Sequence, residues 1–233
     1  MTEPRKYGID VSYYTLLKLI GILCTSLPVI VILGGFIQNG FVIESTLSAY
    51  YYTNMRDYFV GLLIGVGLFL ITYRGYEKID AILTDISGIC IIGVAIIPAM
   101  SDAGGKAVKI GLFQIDAYLS NTIHTLLACI CFVCLALMCL FVFTKNGNEV
   151  MTKEKIVRNR IYKTCGIIMV LDMVFHELTV IFLSREVLLA SRLILITEAI
   201  LLFAFGIAWL VKGKTIFQDK ETQIETKVSR YHA

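Results

Sequence analysis

Residues 14–38, YTLLKLIGILCTSLPVIVILGGFIQ, form a run of 25 residues with one charge, Lys18. As a helix this run is about 38 Å long at ~1.5 Å per residue, enough to cross the ~30 Å hydrocarbon layer of a bilayer. In lipid a backbone satisfies its own hydrogen bonds only as a helix or a closed barrel. The run lacks the apolar–polar alternation of a barrel strand, so it predicts a helix. Similar runs recur along the chain. They predict an all-α fold, a polytopic transmembrane bundle of six helices over residues 14–38, 55–74, 79–99, 118–143, 161–183 and 187–211. Together they make one transmembrane domain, 1–211, followed by a polar tail, 212–233, rich in mixed charge. The chain is 57% hydrophobic and 17% charged, with a mean hydropathy of +0.77. Soluble domains run near ~45–50% and ~25%, so little is left over for a soluble domain. The first run is too long for a cleaved leader and reads as a retained helix.

Six spans put the N-terminus, the second and fourth loops and the tail on one side. That side holds fifteen Lys and Arg, the other five. The positive-inside rule then places both termini in the cytoplasm of a plasma membrane. The net charge is only +3, and the excess basic residues lie in the loops of one side. They read as topology, which argues against a nucleic-acid partner; membrane lipids are the predicted surroundings. The cysteines, seven in all, lie inside apolar runs. The group Cys129, Cys131, Cys134 and Cys139 reads as core packing, because residues two apart on a helix face different ways. Gly61 and Gly65 form a small-xxx-small pair, suited to close packing within the bundle or to a homo-oligomer.

Ionisable groups at membrane depth are expensive, so each is a candidate for function. The fifth run carries Asp172, His176 and Glu177, with Asp172 and His176 on one face. The sixth carries Arg192 and Glu198, the fourth Asn121 and His124, and the second opens with Arg56 and Asp57. All fall in the outer half or at the midplane. They predict an outward-facing polar pocket walled by the second, fourth, fifth and sixth spans, with Tyr50, Tyr51 and Tyr52 at its rim. A tyrosine ring suits the headgroup layer. Asn54 and Asp57 suit the N-terminus of the second helix. Two readings follow. In one, Asp172, His176, Arg192 and Glu198 neutralise each other as buried glue, or serve a small solute or proton in a non-enzymatic transporter, sensor or structural component. That reading needs no cofactor. In the other, His124, His176 and a carboxylate such as Asp57 hold zinc, since two histidines and a carboxylate with one open position suit a catalytic site. The protein would then hydrolyse a lipid at the outer leaflet.

The stretch LSAYYYTNMRDYFVG, then FLITYRGYEKID, then His124 near a helix start, resembles a group of uncharacterised bacterial multi-pass membrane proteins. The resemblance covers the second to fourth spans and implies a bacterial inner-membrane location, without an activity. A more distant similarity is to membrane hydrolases that include the alkaline ceramidases. It implies zinc chemistry and rests on Ser48, Asp57, His124 and His176 by residue type. Those hydrolases have seven spans, and this chain lacks a His-x-x-x-His in its last helix.

Overall fold

The computed structural model describes residues 7–38, 40–75, 77–101, 109–145 and 151–215, with side chains from Tyr13 onward. Arg5, Lys6 and Lys106, which enter the Lys and Arg count, and the tail beyond 215 lie outside these residues. The described chain is all-helical apart from one short hairpin. The elements are α1 (Tyr7–Gln38), a 3₁₀ turn (Ser48–Tyr52), α2 (Arg56–Thr72), α3 (Lys78–Ile96), β1 (Lys109–Ile110), β2 (Ile115–Asp116), α4 (Ala117–Leu137) running on through a π turn (Met138–Val142), α5 (Lys153–Phe182), α6 (Arg185–Ser191) and α7 (Leu193–Lys212). The hairpin pairs Lys109 with Asp116, antiparallel. Five helices, α1, α3, α4, α5 and α7, are long and apolar enough to cross a membrane. The protein is membrane-embedded. The second expected span, α2, has 17 residues and is the shortest of the long helices.

The six long helices close into a ring. Around it α1 meets α2, α2 meets α3, α3 meets α4, α4 meets α5, α5 meets α7, and α7 returns to α1. Two seams are glycine-lined. A Cβ on Gly88 would lie 2.5 Å from the Gly67 carbonyl, so α2 and α3 touch backbone to backbone. A Cβ on Gly21 would lie 2.8 Å from the Gly206 carbonyl, locking α1 to α7 in the same way. Gly61 and Gly65 do not take this role. Their Cβ positions have nothing within 4 Å, because both face out of the bundle. Intramolecular packing by that pair is therefore corrected, and Gly67 makes the contact.

The sixth expected span is also corrected. Residues 187–211 are not one helix: the chain breaks at Arg192, left-handed at φ 58°, between α6 and α7. The break is held from outside the segment. Ser45 O accepts from Leu195 N at 3.1 Å, and Ile43 O accepts from Arg192 Nε at 3.0 Å. α5 starts earlier than expected, at Lys153, and Thr152 caps it by accepting from Lys155 N at 3.1 Å.

At the end of the bundle away from Ser48, aromatic rings fill the core. Trp209 packs edge-on against Tyr73, Phe143 and Phe205 with centroids 5.1, 5.2 and 5.8 Å away. Tyr73 is 1% exposed and buried among these rings rather than lying at the membrane surface. Six cysteines are buried, and Cys129 is exposed.

Candidate functional site

Two loops lie across one end of the ring and build the site. The loop after α1 leads into the 3₁₀ turn that carries Ser48. The segment after α3, residues 97–100, is sewn to the first turns of α4. Ser120 Oγ donates to Pro98 O at 2.7 Å, Asn121 Oδ1 accepts from Met100 N at 2.9 Å, and His124 Nδ1 lies 2.7 Å from Ile97 O. Asp116 caps α4 by accepting from the Tyr118 and Leu119 amides. These contacts fix the first turns of α4, and with them His124.

The histidine tautomer follows from its partners. A carbonyl only accepts, so Nδ1 carries a proton and donates it to Ile97 O. The other nitrogen, Nε2, lies 3.0 Å from Ser48 Oγ. Ser48 Oγ is in turn 3.4 Å from Glu198 Oε1. Glu198 is anchored by its second oxygen, which accepts from Leu47 N at 2.5 Å. One serine hydroxyl thus stands between an imidazole and a carboxyl. The three residues come from the loop after α1, from α4 and from α7. His124 is buried at 5% exposure. Below them lies a cavity of about 60 Å³, lined by Leu27, Leu63, Ile91, Phe132 and Leu202 among others. Most of its lining is apolar.

The structure distributes the predicted site residues unevenly. His124 and Glu198 meet through Ser48. Asp172, His176 and Glu177 do not join them. His176 Nδ1 donates to Thr197 Oγ1 at 2.8 Å, because the threonine proton is committed to Ile194 O. Glu177 meets Cys129 Sγ at 3.8 Å. Asp172 is buried, and its Oδ2 has no hydrogen-bond partner. Arg192 turns its guanidinium to the backbone carbonyls of Ile43 and Leu189. The mutual neutralisation of Asp172, His176, Arg192 and Glu198 is therefore replaced by separate partners for three of them. The expected wall from α5 is replaced by the loop after α1. Asp57 is exposed in the first turn of α2, outside the cavity lining. Among the described residues no group of three or more His, Cys, Asp or Glu is arranged to hold a metal ion, and His124, His176 and Asp57 are not brought together.

The tyrosine run also departs from expectation. Tyr50 is 0% exposed and Tyr51 6%, while Tyr52 alone is open at 41%. Gly35 of α1 makes the space, since any side chain there would strike the Tyr50 ring. Burial holds the Tyr50 and Tyr52 phenols above their ordinary pKa. Tyr52 still reaches out, donating to Ala99 O at 2.6 Å. The expected Asn54 cap is absent: α2 has no side-chain cap, and Thr53 Oγ1 accepts from Met55 N instead.

A second charged cluster sits at the opposite end, unpredicted as a unit. Asp80, fully buried, is 2.6 Å from Lys145 Nζ and accepts from Glu77 N at 3.1 Å. Lys145 also meets Glu77 at 3.1 Å. The Asp80 carboxylate holds the lysine's pKa above its usual range. Lys212 lies among Lys155, Arg158, Lys214 and Asp80. Sequence spacing carried no signal of this group, because Asp80 and Lys145 are 65 residues apart.

Comparison with models of known families, with curated proteins and with solved structures finds no match.

Proposed function

We propose that the chain is a six-span inner-membrane protein with both termini in the cytoplasm, and that Glu198, Ser48 and His124 form an outward-facing proton relay that serves a small ligand without covalent chemistry. The orientation rests on the Lys and Arg bias of the loops. The sixth span is α2, whose 17 residues fall at the short end of the spanning range. The observation that carries the relay is the position of Ser48 Oγ, 3.0 Å from His124 Nε2 and 3.4 Å from Glu198 Oε1. Two hydrogen-bond orders fit these atoms. In the first, a protonated Glu198 donates to Ser48, and Ser48 donates to neutral His124. In the second, protonated His124 donates to Ser48, and Ser48 donates to ionised Glu198. They hold the same number of protons and differ in where one sits: Glu198 gives its proton to Ser48 Oγ as Ser48 passes its own to Nε2. Groups coupled this way titrate as a unit. Infrared difference spectra of the full chain in lipid nanodiscs test this. The Glu198 carboxyl band, assigned through Glu198→Gln, and the His124 ring band, assigned through His124→Gln, should change together with pH. Ser48→Ala should separate them. Independent titration in the unmodified protein would refute the relay.

A second reading draws on the same contact. A serine hydroxyl on the free nitrogen of an anchored histidine is also the arrangement of an activated nucleophile, as a hydrolase of an outer-leaflet lipid would need. Covalent labelling of Ser48 by a fluorophosphonate would favour this hydrolase, whether or not a metal assists it.

A further inference from the structure

We infer that the mouth of this end of the bundle is a binding site for a phosphate-type oxyanion, carried by Arg56 and Lys109. The inference rests on the outward-facing reading and names the ligand class that would approach the relay.

A cavity of about 510 Å³ opens beside the 3₁₀ turn, lined by Tyr51, Tyr52, Thr53, Asn54, Arg56, Lys109, Ile110, Gly111 and Gln114. Two lining residues are cationic, and none is acidic. Tyr51 and Tyr52 follow Ser48 on the same short turn, so the cavity lies next to the relay.

Arg56 is fixed in place. Its Nη2 donates to Tyr51 Oη at 2.7 Å, and its guanidinium carbon lies 4.3 Å from the centre of the Tyr51 ring. That leaves most of its five N–H donors for a ligand, and a planar fork matches a phosphate with two parallel bonds. Lys109 is exposed at the start of β1. Its cross-strand neighbour is Asp116, whose Oδ1 accepts from two amides as the α4 cap. No ion pair engages Arg56 or Lys109 among the described residues. The side-chain amides of Asn54 and Gln114 add N–H donors to the wall for the remaining oxygens. Charge-assisted bonds of this kind are about twice as strong as neutral ones. The ligand is either a free phosphorylated solute or the phosphate of a lipid headgroup at the outer surface.

The test uses the full chain in phosphatidylcholine nanodiscs, with thermal unfolding followed as inorganic phosphate is added. A second arm replaces part of the lipid with phosphatidylglycerol and omits phosphate. Saturable stabilisation in the first arm identifies a solute site, and stabilisation only in the second identifies a headgroup site. In either case Arg56→Gln and Lys109→Gln should each weaken the effect about tenfold, as expected for losing one charge-assisted contact. Lys109→Gln alters an exposed residue and keeps the test valid if Arg56→Gln folds poorly. No saturable effect in either arm, or an equal effect in both variants and the unmodified protein, overturns the site. Such a failure leaves the infrared coupling of Glu198 and His124 untouched. Loss of that coupling with phosphate binding retained overturns the relay alone.

Discussion

Replacing Asp80 by asparagine isolates the charge at the end of the bundle away from Ser48. The amide oxygen can still accept from Glu77 N, so the start of α3 keeps its cap. What disappears is the ion pair with Lys145, 2.6 Å in length, made by a fully buried carboxylate. Removing one member of a buried pair costs ~3–5 kcal/mol, because the other charge is left without compensation. Lys145 keeps 25% of its side chain exposed, and Glu77 at 3.1 Å offers a weaker, exposed partner. Both soften the loss to about 2–3 kcal/mol, on the order of a hundredfold in the unfolding equilibrium. Denaturant titration in mixed micelles reads this directly, and a cycle with Lys145→Met separates the pair from general effects of substitution. The pH dependence is a second, independent mark. The folded lysine holds its proton more tightly than the unfolded one. The stabilisation is therefore complete below the ordinary lysine pKa, ~10.4, and is lost as pH rises through the higher folded value. Asp80→Asn should remove that alkaline loss. A coupling below about 0.5 kcal/mol in the cycle, the level of an exposed pair, would refute the reasoning.

The α2–α3 seam predicts a contrast between glycines. Gly88→Val should cost at least about 2 kcal/mol, since its Cβ would sit 2.5 Å from a backbone carbonyl. Gly65→Ala, facing open space, should change unfolding in the same micelles by no more than about 0.5 kcal/mol. Trp209 is the one tryptophan and is 0% exposed. Trp209→Ala should destabilise by about 3–5 kcal/mol. Trp209→Phe should lose under about 1.5 kcal/mol, because the ring contacts remain and the indole N–H had no acceptor. The fluorescence of the unmodified protein should shift to the red only on unfolding.

Membrane spans were readable because length and apolar content are local properties of a chain. The break at Arg192 was not, because residues 187–211 are apolar on both sides of it. What stops the helix there is a pair of carbonyls, Ile43 and Ser45, about 150 residues away in sequence. Glu198 and His124 stood out as costly polar groups, yet their meeting depends on Ser48, 76 residues from one and 150 from the other. Serine at a helix-rich membrane surface is too common to mark a site. Tyr50 illustrates the reverse error. Tyrosine fits the headgroup layer by chemistry, but Gly35 leaves a ring-sized gap under this one, and packing overrode the interfacial preference.

The two polar clusters are separated by apolar side chains in the ring interior, which bears on the proposed mechanism. Between the Ser48 end and the Asp80 end, the ring interior is filled by Val66, Leu70, Leu135 and Phe205, each at most 1% exposed. A proton or ion moving along the axis would have to shed its hydration in that layer, where a bare charge costs several kcal/mol or more. The relay proposed at Ser48, lying on one side of this layer, would change the charge of what it faces without moving charge across the membrane. On that proposal a receptor or sensor, or one-sided chemistry, fits better than a through-channel. Transport would require the layer to open, with α1 and α7 or α2 and α3 parting at seams where glycines now bring the backbones into contact.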